Sequence, residues 1–225
     1  MNEKQIAGEK AVEFIKDKMT VGLGTGSTAS FTIKKLGEMI KSGLDIKCVS
    51  TSNETTSLAV SLGIPLVSID DIDEIDLTID GADEIDPQFN GIKGGGGALL
   101  FEKIVAASSK KIIWVVDSTK MVKKLGKYPV PLEILPFGYK QTFKKLDLLG
   151  YNPIVRSKNN KMFLTDSNNY IIDLHLERID DPVKLEKELN MIPGVIENGL
   201  FVNMTDNVVV GRDGNTEVLK NERKA

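Results

Sequence analysis

The feature that most constrains the fold of this chain is the alternation of apolar runs with helical patterns in its first half. The runs "MTVGLG", "DIKCVST", "IPLVSI", "IDLTID" and "KKIIWVVD" have the length and composition of buried strands. Helical segments separate most of them. In "STASFTIKKLGEMIKSG" the residues Ala29, Ile33, Leu36 and Ile40 recur at helical spacing, and Gly43 marks the stop. Such repeated β–α–β units predict an α/β fold with a doubly wound, mostly parallel sheet.

The pattern changes near Gly126. The segments "YPVPLEILP", "GYKQTFKKLDLLG", "NPIVRS", "KMFLTDSNNYIIDLHL", "DPVKLEKELNMIPG" and "VIENGLF" predict a strand, a helix, a strand, a hairpin, a second helix with Asp181 as N-cap, and a last strand. "DNVVVGRDGNTEVLK" then predicts a hairpin with an Asp-Gly turn, whose apolar strand can return to the first sheet. We therefore expect residues 1–126 plus 202–225 to form the larger α/β domain and residues 127–201 an inserted, smaller ferredoxin-like α+β domain.

Composition excludes several classes of protein. A net charge of −3 over 225 residues, with scattered lysines and arginines, argues against a nucleic-acid binder, which usually has a basic face. "MNEKQIAGEKAVEFI" lacks the apolar core of a signal peptide, and no apolar run approaches the roughly 20 residues that cross a bilayer. These observations predict a cytoplasmic protein without membrane contact.

The single cysteine and single histidine limit the available chemistry. They exclude an intrachain disulfide and a Cys/His zinc site. Cys48 and His175 both lie in strand-like runs, and neither has the neighbours of a nucleophile elbow, so we expect structural roles for them. If the chain is an enzyme, its acid–base groups are expected to be carboxylates and lysines.

Hydroxyl groups and glycines cluster in "GLGTGSTA" (Gly22–Ala29), between a strand and a helix. Thr25, Ser27 and Thr28 lie where a helix N-terminus favours anions, which suits a phosphate, although a tight turn with a helix cap explains the pattern as well. The stretch lacks the Gly-Lys-Ser/Thr of a Walker motif and departs from the dinucleotide fingerprint. "TSNETTS" and Lys120 follow other strands and are expected at the same sheet edge, with helix capping and an ordinary surface lysine as alternatives.

Carboxylates follow the strand "IDLTID". Asp80 ends the strand, Gly81 permits a turn, and Asp83 and Glu84 come next. Carboxylates at this end of a strand can bind Mg²⁺, hold sugar hydroxyls or move protons, and a solvated loop is also consistent with the pattern. We expect Asp80 and Asp83 to act, leave Glu84 open, and expect Asp86 to be solvated.

The most specific local signal is "KGGGGALLFEK" (Lys93–Lys103). Four successive glycines lose much conformational entropy on folding, which is reasonable where backbone N–H groups must approach a ligand closely. Lys93 precedes the glycines, and Glu102 follows about one helical turn into the next segment. A carboxylate base, an ammonium group and N–H donors thus lie within about ten residues of one another along the chain. A purely structural glycine turn is the alternative.

Taken in order, five stretches resemble type A ribose-5-phosphate isomerase. They are "GLGTGSTA", "STSNETT", "DGADEID", "IKGGGGALLFEKI" and "DSTKMVKKLGKYPVPLEI". "IPGVIENGLF" is also similar, so the resemblance covers roughly residues 4–219. It implies an α/β catalytic domain with an inserted ferredoxin-like domain. It also implies interconversion of ribose 5-phosphate and ribulose 5-phosphate in the pentose phosphate pathway, without metal or organic cofactor.

The resemblance also implies roles for individual residues. Glu102 matches the base that shuttles the proton, while Asp80, Asp83 and Lys93 match residues that hold and polarise the sugar and assist ring opening. Lys4 is a further candidate for a phosphate contact. The whole implied substrate-binding set is Thr25, Gly26, Ser27, Thr28, Asp80, Gly81, Ala82, Asp83, Lys93, Gly94, Gly95, Gly96 and Lys120.

Two other functions remain open from the residues. A sugar-phosphate-sensing module of a transcription regulator would carry a helix-turn-helix before the sheet, but only 20 residues precede "VGLGTG". Relatives of acyl-CoA transferases are usually longer and lack "DGADE". The expected partner is a small phosphosugar, and the outer strands of the inserted domain predict a homodimer or homotetramer.

Overall fold

The computed structural model describes residues 2–224. Contacts between Cα atoms divide the chain into two compact units. The first unit comprises Met1–Ala82, Phe101–Met121 and Met204–Ala225, and the second comprises Asp83–Leu100 and Val122–Asn203. This division assigns Asp83–Leu100 to the second unit, whereas the predicted larger domain contains that segment. The boundaries at 126/127 and 201/202 stay a prediction.

The described strands and helices follow in chain order. The strands are β1 (Thr20–Leu23), β2 (Lys47–Ser50), β3 (Leu77–Asp80), β4 (Glu84–Ile85), β5 (Gly91–Ile92), β6 (Ile112–Asp117), β7 (Val130–Ile134), β8 (Pro153–Val155), β9 (Ser157–Lys158), β10 (Lys161–Met162), β11 (Tyr170–Leu174), β12 (Val195–Asn198), β13 (Leu200–Phe201), β14 (Asn207–Arg212) and β15 (Asn215–Lys220). The α-helices are α1 (Glu3–Ala11), α2 (Ala29–Lys41), α3 (Asn53–Ser61), α4 (Leu99–Ala107), α5 (Tyr139–Leu148) and α6 (Pro182–Asn190). Short 3₁₀ helices cover Val12–Phe14, Ile69–Asp71 and Ser118–Lys120.

The first unit is built on a six-stranded sheet with the order β15-β14-β6-β3-β1-β2. All neighbouring pairs are parallel except β14 with β15, which form the predicted hairpin. The predicted α/β class and the return of the last strands to the first sheet are therefore confirmed. The strand order reverses between β1 and β3, and ligands in such open sheets bind at the carboxyl ends of the strands at this point. Those ends carry Leu23 and Asp80.

Apolar periodicity explains why the helices cover this sheet. In α2, one face is buried and consists of Ala29, Thr32, Ile33, Leu36 and Gly37. Ile33 and Leu36 pack in a core with residues of β1, β3 and β6. Each fully buried aliphatic side chain of this kind contributes about 1.5–3 kcal/mol relative to an exposed one. The core lies between the sheet and its helices, which leaves the loops at the strand ends available for function.

The second unit contains a four-stranded antiparallel sheet with the order β12-β7-β11-β8. Together with α5 and α6 it forms the β–α–β–β–α–β arrangement of the predicted ferredoxin-like module, and the extra strand expected between the two helices does not join this sheet. Asp181 caps α6 by accepting a hydrogen bond from the Lys184 N–H group at 3.0 Å, and Pro182 occupies the first turn. A separate three-stranded sheet with the order β13-β5-β4 lies in the same unit.

Two predicted strands differ from the structure. "IPLVSI" forms only an isolated bridge between Leu66 and Cys48, since Pro65 has no N–H group to donate to a ladder. In "KMFLTDSNNYIIDLHL" the first arm does not form one hairpin with the second. Lys161–Met162 pairs instead with Ser157–Lys158, and a single bridge joins Leu164 to Tyr170.

Candidate active site

A loop rich in hydroxyl groups, Gly24–Thr28, follows β1 in the first unit; we call it the hydroxyl loop. The buried carboxylate of Asp80, only 2% exposed, holds its start. The Asp80 Oδ1 atom accepts hydrogen bonds from the Thr25 N–H group at 3.0 Å and from the Gly81 N–H group at 2.7 Å. Asp80 thus joins the ends of β1 and β3 at the point where the strand order reverses.

The Thr25 side chain is the centre of a hydroxyl network. Its Oγ1 atom lies 2.8 Å from Thr51 Oγ1, 2.8 Å from Ser52 Oγ and 3.2 Å from Thr55 Oγ1. Thr51 and Thr55 in turn donate to the carbonyl groups of Leu23 and Gly24. The stretch "TSNETTS" therefore supports the hydroxyl loop, and Ser52 also caps α3 by accepting from the Thr55 N–H group. Cooperative networks of this kind make a loop rigid.

Position 24 requires glycine because Asp80 lies very close to its backbone. A Cβ atom at this position would overlap the carboxylate and the Cα atom of Asp80. Glycine therefore lets the two strand ends come together, and the motif "GLGTG" has a packing reason as well as a possible binding role.

The far end of the hydroxyl loop faces solvent and a lysine. Gly26 and Ser27 are exposed, while Thr28 is buried at the start of α2. The Lys4 ammonium group donates a hydrogen bond to Ser27 Oγ at 3.0 Å. Exposed hydroxyl and ammonium donors beside a helix N-terminus form an environment that suits an anion.

Lys120 belongs to the 3₁₀ helix Ser118–Lys120, which Glu3 holds in place. The Glu3 Oε2 atom accepts from the Ser118 N–H group at 3.0 Å and from its hydroxyl at 2.7 Å, and Oε1 accepts from the Asp213 N–H group at 3.2 Å. These bonds, those from Ser118 first, lower the pKa of Glu3 below its usual value. Sequence reasoning missed Glu3, whose only signal was its position beside Lys4.

Glu102 lies in the first turn of α4, in the part of that helix that belongs to the first unit. The helix sequence "LLFEKIVAA" is otherwise mostly apolar, and Glu102 is only 4% exposed. A charged carboxylate is costly to bury, so a buried glutamate in such a segment is a candidate for chemistry.

In the second unit the antiparallel pair β4–β5 brings Asp83 beside the segment Lys93–Gly97, which we call the glycine loop. The Asp83 N–H group donates to the Ile92 carbonyl, and Asp83 Oδ2 accepts from the Gly95 N–H group at 2.9 Å. The Gly97 N–H group donates to the Gly94 carbonyl at 2.9 Å and closes a turn. Neither β4 nor β5 was predicted, because two-residue strands carry too little periodicity.

Lys93 is buried at the start of the glycine loop. It is 2% exposed, and its N–H group donates to the Gly199 carbonyl at 2.9 Å. Its ammonium group lies 5.1 Å from the centre of the Phe201 ring, within the range of a cation–π contact. The buried positive charge is thereby held over an aromatic face at a fixed place.

Tyr128 packs against the glycine loop. A Cβ atom on Gly95 would overlap the Tyr128 hydroxyl and would lie 2.9 Å from Asp83 Oδ1. Burial raises the pKa of Tyr128, and the negative charge of Asp83 raises it further. Tyr128 therefore keeps its proton at neutral pH, and sequence reasoning missed it because a lone tyrosine carries no motif.

The remaining acids of "DGADEID" have structural roles. Glu84 is buried and accepts hydrogen bonds from the N–H groups of Gly126 and Tyr128, both at 2.8 Å. The expectation that Asp86 is solvated was wrong, since Asp86 is only 5% exposed. Its carboxylate accepts from the N–H groups of Gln88 and Asn90 and so closes the turn between β4 and β5.

Some of the predicted site residues lie in the first unit and the others in the second. The first unit contains Thr25, Gly26, Ser27, Thr28, Asp80, Gly81, Ala82, Glu102 and Lys120, and the second contains Asp83, Lys93, Gly94, Gly95 and Gly96. Hydrogen bonds connect Thr25, Asp80 and Gly81 in the one and Asp83 and Gly95 in the other. Within residues 2–224, no three histidine, cysteine, aspartate or glutamate side chains are grouped to hold a metal ion. No helix in that range has the length and apolar character to cross a membrane.

Relatives of known sequence match nearly the whole chain. A model of the family described as ribose 5-phosphate isomerase A (phosphoriboisomerase A) matches residues 47–215. Ribose-5-phosphate isomerase A of Lactiplantibacillus plantarum is 51% identical over 218 residues, which are 96% of this chain and 96% of that protein. The protein of the same name from Streptococcus gordonii is 50% identical over 220 residues, which are 97% and 98% of the two chains.

Solved structures agree with these sequences. A D-ribose-5-phosphate isomerase in complex with phospho-erythronic acid has a TM-score of 0.94 and 43% identity, with 98% of this chain and 100% of that chain covered. Ribose 5-phosphate isomerase A of Methanocaldococcus jannaschii has a TM-score of 0.92 and 41% identity, with 96% and 97% covered. These findings confirm the resemblance carried by the glycine and carboxylate motifs: the chain belongs to the ribose-5-phosphate isomerase A family.

Proposed function

We propose that this chain interconverts ribose 5-phosphate and ribulose 5-phosphate through an enediolate, with the Glu102 carboxylate as the base. The observation that carries the mechanism is the burial of Glu102, 4% exposed, in the first turn of the helix after the glycine loop. A buried carboxylate that is excluded from water is suited to take a proton from carbon, because solvent does not compete for it.

The proton moves between adjacent carbons. Glu102 takes the proton from C2 of the open-chain aldose, and the electrons of that bond form the C1–C2 double bond of the enediolate. Glu102 then returns the proton to C1, while the O2 hydroxyl becomes the new carbonyl and O1 becomes a hydroxyl. One carboxylate can serve both carbons because they are adjacent and the proton leaves C2 and reaches C1 on the same face of the planar intermediate.

Negative charge develops on the sugar oxygens during this transfer. The Lys93 ammonium group and the N–H group of the exposed Gly96 in the glycine loop are the donors that stabilise it in our proposal. Asp80 and Asp83 assist ring opening and move the hydroxyl proton. Both carboxylates accept backbone N–H groups, which orients them before substrate arrives.

The phosphate is the far end of the substrate. In our proposal it binds to the exposed end of the hydroxyl loop, with Lys4 and Lys120 supplying positive charge. The bond from Lys4 to Ser27 supports this assignment. A relative of this chain has been solved in complex with phospho-erythronic acid, which shows that a phosphorylated acid binds to that protein. Anchoring the phosphate would position the reacting carbons.

The substitution Glu102→Gln tests the base. We expect kcat for ribose 5-phosphate to fall by about 10²–10⁴-fold, the range that a positioned acid–base group contributes. Affinity for phospho-erythronic acid, measured by calorimetry, is expected to stay within several-fold of the wild type because the amide keeps the shape of the carboxyl group.

Glu133→Gln is the matched control for this test. Glu133 is equally buried but accepts hydrogen bonds from Thr165 and Asn169, and we assign it no role in the site. Its kcat is expected to match the wild type. Near-normal turnover of Glu102→Gln would contradict the single-base mechanism. A wild type that is inactive on ribose 5-phosphate would contradict the proposed reaction itself.

A further inference from the structure

An arginine that no motif singled out contacts the glycine loop of the second unit. The Arg156 Nη1 atom donates to the Gly94 carbonyl at 2.9 Å and to the Gly95 carbonyl at 3.0 Å. The rest of the guanidinium pairs with Asp173: Nε donates to Oδ2 at 2.8 Å and Nη2 to Oδ1 at 2.5 Å. Such a two-bond pair fixes the plane of the guanidinium, which lysine cannot reproduce.

The surroundings of Arg156 make this arrangement rigid. The side chains of Arg156 and Asp173 are each 15% exposed. The Arg156 N–H group donates to the Ile171 carbonyl, and the Arg156 carbonyl accepts from the Phe163 N–H group. The guanidinium carbon lies 5.7 Å from the centre of the Phe163 ring. The residue is thus held by its backbone, by Asp173 and by an aromatic face.

The contacts determine which way two peptide groups point. In a trans peptide the C=O and N–H groups point in opposite directions. The peptide between Gly94 and Gly95 is held at both ends, since Arg156 binds its carbonyl and Asp83 binds its N–H group. In the next peptide Arg156 binds the Gly95 carbonyl, so the N–H group of the exposed Gly96 points away from the arginine.

A run of glycines cannot hold such an orientation by itself. Glycine reaches more backbone conformations than any other residue, and fixing one residue costs about 1–2 kcal/mol. The four glycines of this loop have no side chains to pack, so their order must come from contacts made by other residues. Phe163 supplies one of them, because its ring lies where a Cβ atom of Gly97 would be.

We propose that Arg156 is a positioning residue that turns the carbonyl groups of Gly94 and Gly95 away from the substrate, so that the loop presents the Gly96 N–H group to the developing oxyanion. Asp173 orients the guanidinium and neutralises its charge. The inference rests on the proposed isomerase function and deepens it: the backbone oxyanion donor is set by a charge pair from the antiparallel sheet of the second unit.

The variants Arg156→Lys and Asp173→Asn test this role. Arg156→Lys keeps the positive charge but cannot bind two carbonyl groups and a carboxylate in one plane. We expect kcat to fall by about 10²-fold, the scale for loss of one oxyanion donor, with KM within a few-fold. We expect kcat to fall less in Asp173→Asn. In the double variant kcat is expected to fall no further than in Arg156→Lys, because the two residues act as one unit.

Arg178→Lys is the matched control. The exposed Arg178 guanidinium binds Asp180 through two of its nitrogen atoms, as Arg156 binds Asp173, and we assign it no role in ordering the glycine loop. Its kcat, KM and melting temperature are expected to equal those of the wild type. If Arg156 had only a structural role, Arg156→Lys would lower the melting temperature but leave kcat per folded molecule unchanged.

Amide hydrogen exchange gives a readout that needs no substrate. We expect the amides of Gly95 and Gly97 to exchange faster in Arg156→Lys than in the wild type, at unchanged global stability. If both exchange and kcat of Arg156→Lys equal those of Arg178→Lys, the proposal is overturned. If the wild type proves inactive on ribose 5-phosphate, the exchange experiment still decides whether Arg156 orders the loop.

Discussion

The hydroxyl loop of the first unit and the glycine loop of the second are both ordered by carboxylates, but they are supported differently. Asp80 accepts one N–H group from the hydroxyl loop and one from Gly81 after β3, and Asp83 accepts one in the glycine loop. Beyond that, the hydroxyl loop depends on uncharged hydroxyl groups from the next strand–helix connection. The glycine loop depends on the charged pair Arg156–Asp173 from the antiparallel sheet.

The difference shows two ways to order a binding loop. A network of hydroxyl groups gives many modest contacts, each contributing about 1 kcal/mol, so the loss of one is tolerated. A single guanidinium that holds two carbonyl groups concentrates the same task in one residue. We therefore expect enzymatic activity to tolerate the loss of a single hydroxyl group in the hydroxyl loop but to be sensitive to the loss of a single contact in the glycine loop.

Replacing one glycine of each loop by alanine gives the largest expected contrast between an effect on kcat and an effect on stability. In Gly95→Ala the new Cβ atom meets the ends of the Tyr128 and Asp83 side chains, which can rotate. Because rotation breaks the bond from Gly95 to Asp83, we expect kcat to fall about 10²-fold with little change in stability. In Gly24→Ala the Cβ atom meets the carboxylate of Asp80 and also its Cα atom, which cannot rotate away, and we expect the unfolding free energy to fall by about 1–3 kcal/mol.

Steady-state kinetics and urea unfolding of the two variants measure both effects. Tyr128→Phe combined with Gly95→Ala is the companion variant, since removing the hydroxyl makes room for the methyl group. We expect it to recover part of the lost kcat. If the ratio of activity loss to stability loss were the same in both alanine variants, the proposed difference between the two loops would be contradicted.

Thr25→Val should have a smaller effect. It removes one hydroxyl from the network, but Thr51 and Thr55 keep their carbonyl partners. We expect a loss of about 1 kcal/mol in unfolding free energy and several-fold weaker binding of phospho-erythronic acid, with kcat nearly unchanged.

Thr56→Val is the control for this prediction. Thr56 lies in α3 next to Thr55. Its hydroxyl group bonds to the Ser50 hydroxyl and to the Ser52 carbonyl, not to Thr25. It is expected to lower stability by a similar amount without changing affinity. A large drop in kcat for Thr25→Val would show that the hydroxyl loop is as sensitive as the glycine loop.

The smallest expected effects are opposite pH dependences of stability in the two units. The pKa of Glu3 is lowered by its bonds to Ser118, so its contribution is present above the ordinary value of 4.5 and is lost as the pH falls through the folded-state pKa. Glu3→Gln should therefore show a shallower loss of melting temperature in acid than the wild type.

Glu133 should behave in the opposite way. Burial raises its pKa, although the bonds from Asn169 and Thr165 work against the shift. Its contribution is full below the ordinary value of 4.5 and is lost as the pH rises through the folded-state pKa. Glu133→Gln should gain melting temperature relative to the wild type as the pH rises to neutral. Slopes of the same sign for both variants would contradict these assignments.

The sequence predicted one loop better than the other for a physical reason. The hydroxyl loop is supported by neighbouring strand–helix connections, and the β–α–β pattern already places their ends at one edge. Arg156 lies 62 residues from Gly94 in the chain, and its strand "NPIVRS" carries no sign of what it contacts. Asp86 was misjudged for a related reason: an acid in a polar stretch can be buried when it closes a turn between strands too short to predict.

The place of β14 in the first sheet has a consequence for biosynthesis. It is the parallel neighbour of β6, yet more than 80 residues separate them, and nearly all of that intervening chain belongs to the second unit. While the nascent protein leaves the ribosome, β6 keeps an unpaired edge, whereas the second unit is fully synthesised once Asn203 has emerged. Glu3 likewise cannot bind its partner Asp213 until later still, because Asp213 follows Asn203 in the chain. The first segment to be made can therefore bind Ser118 early but completes its hydrogen bonds only after the second unit has been synthesised.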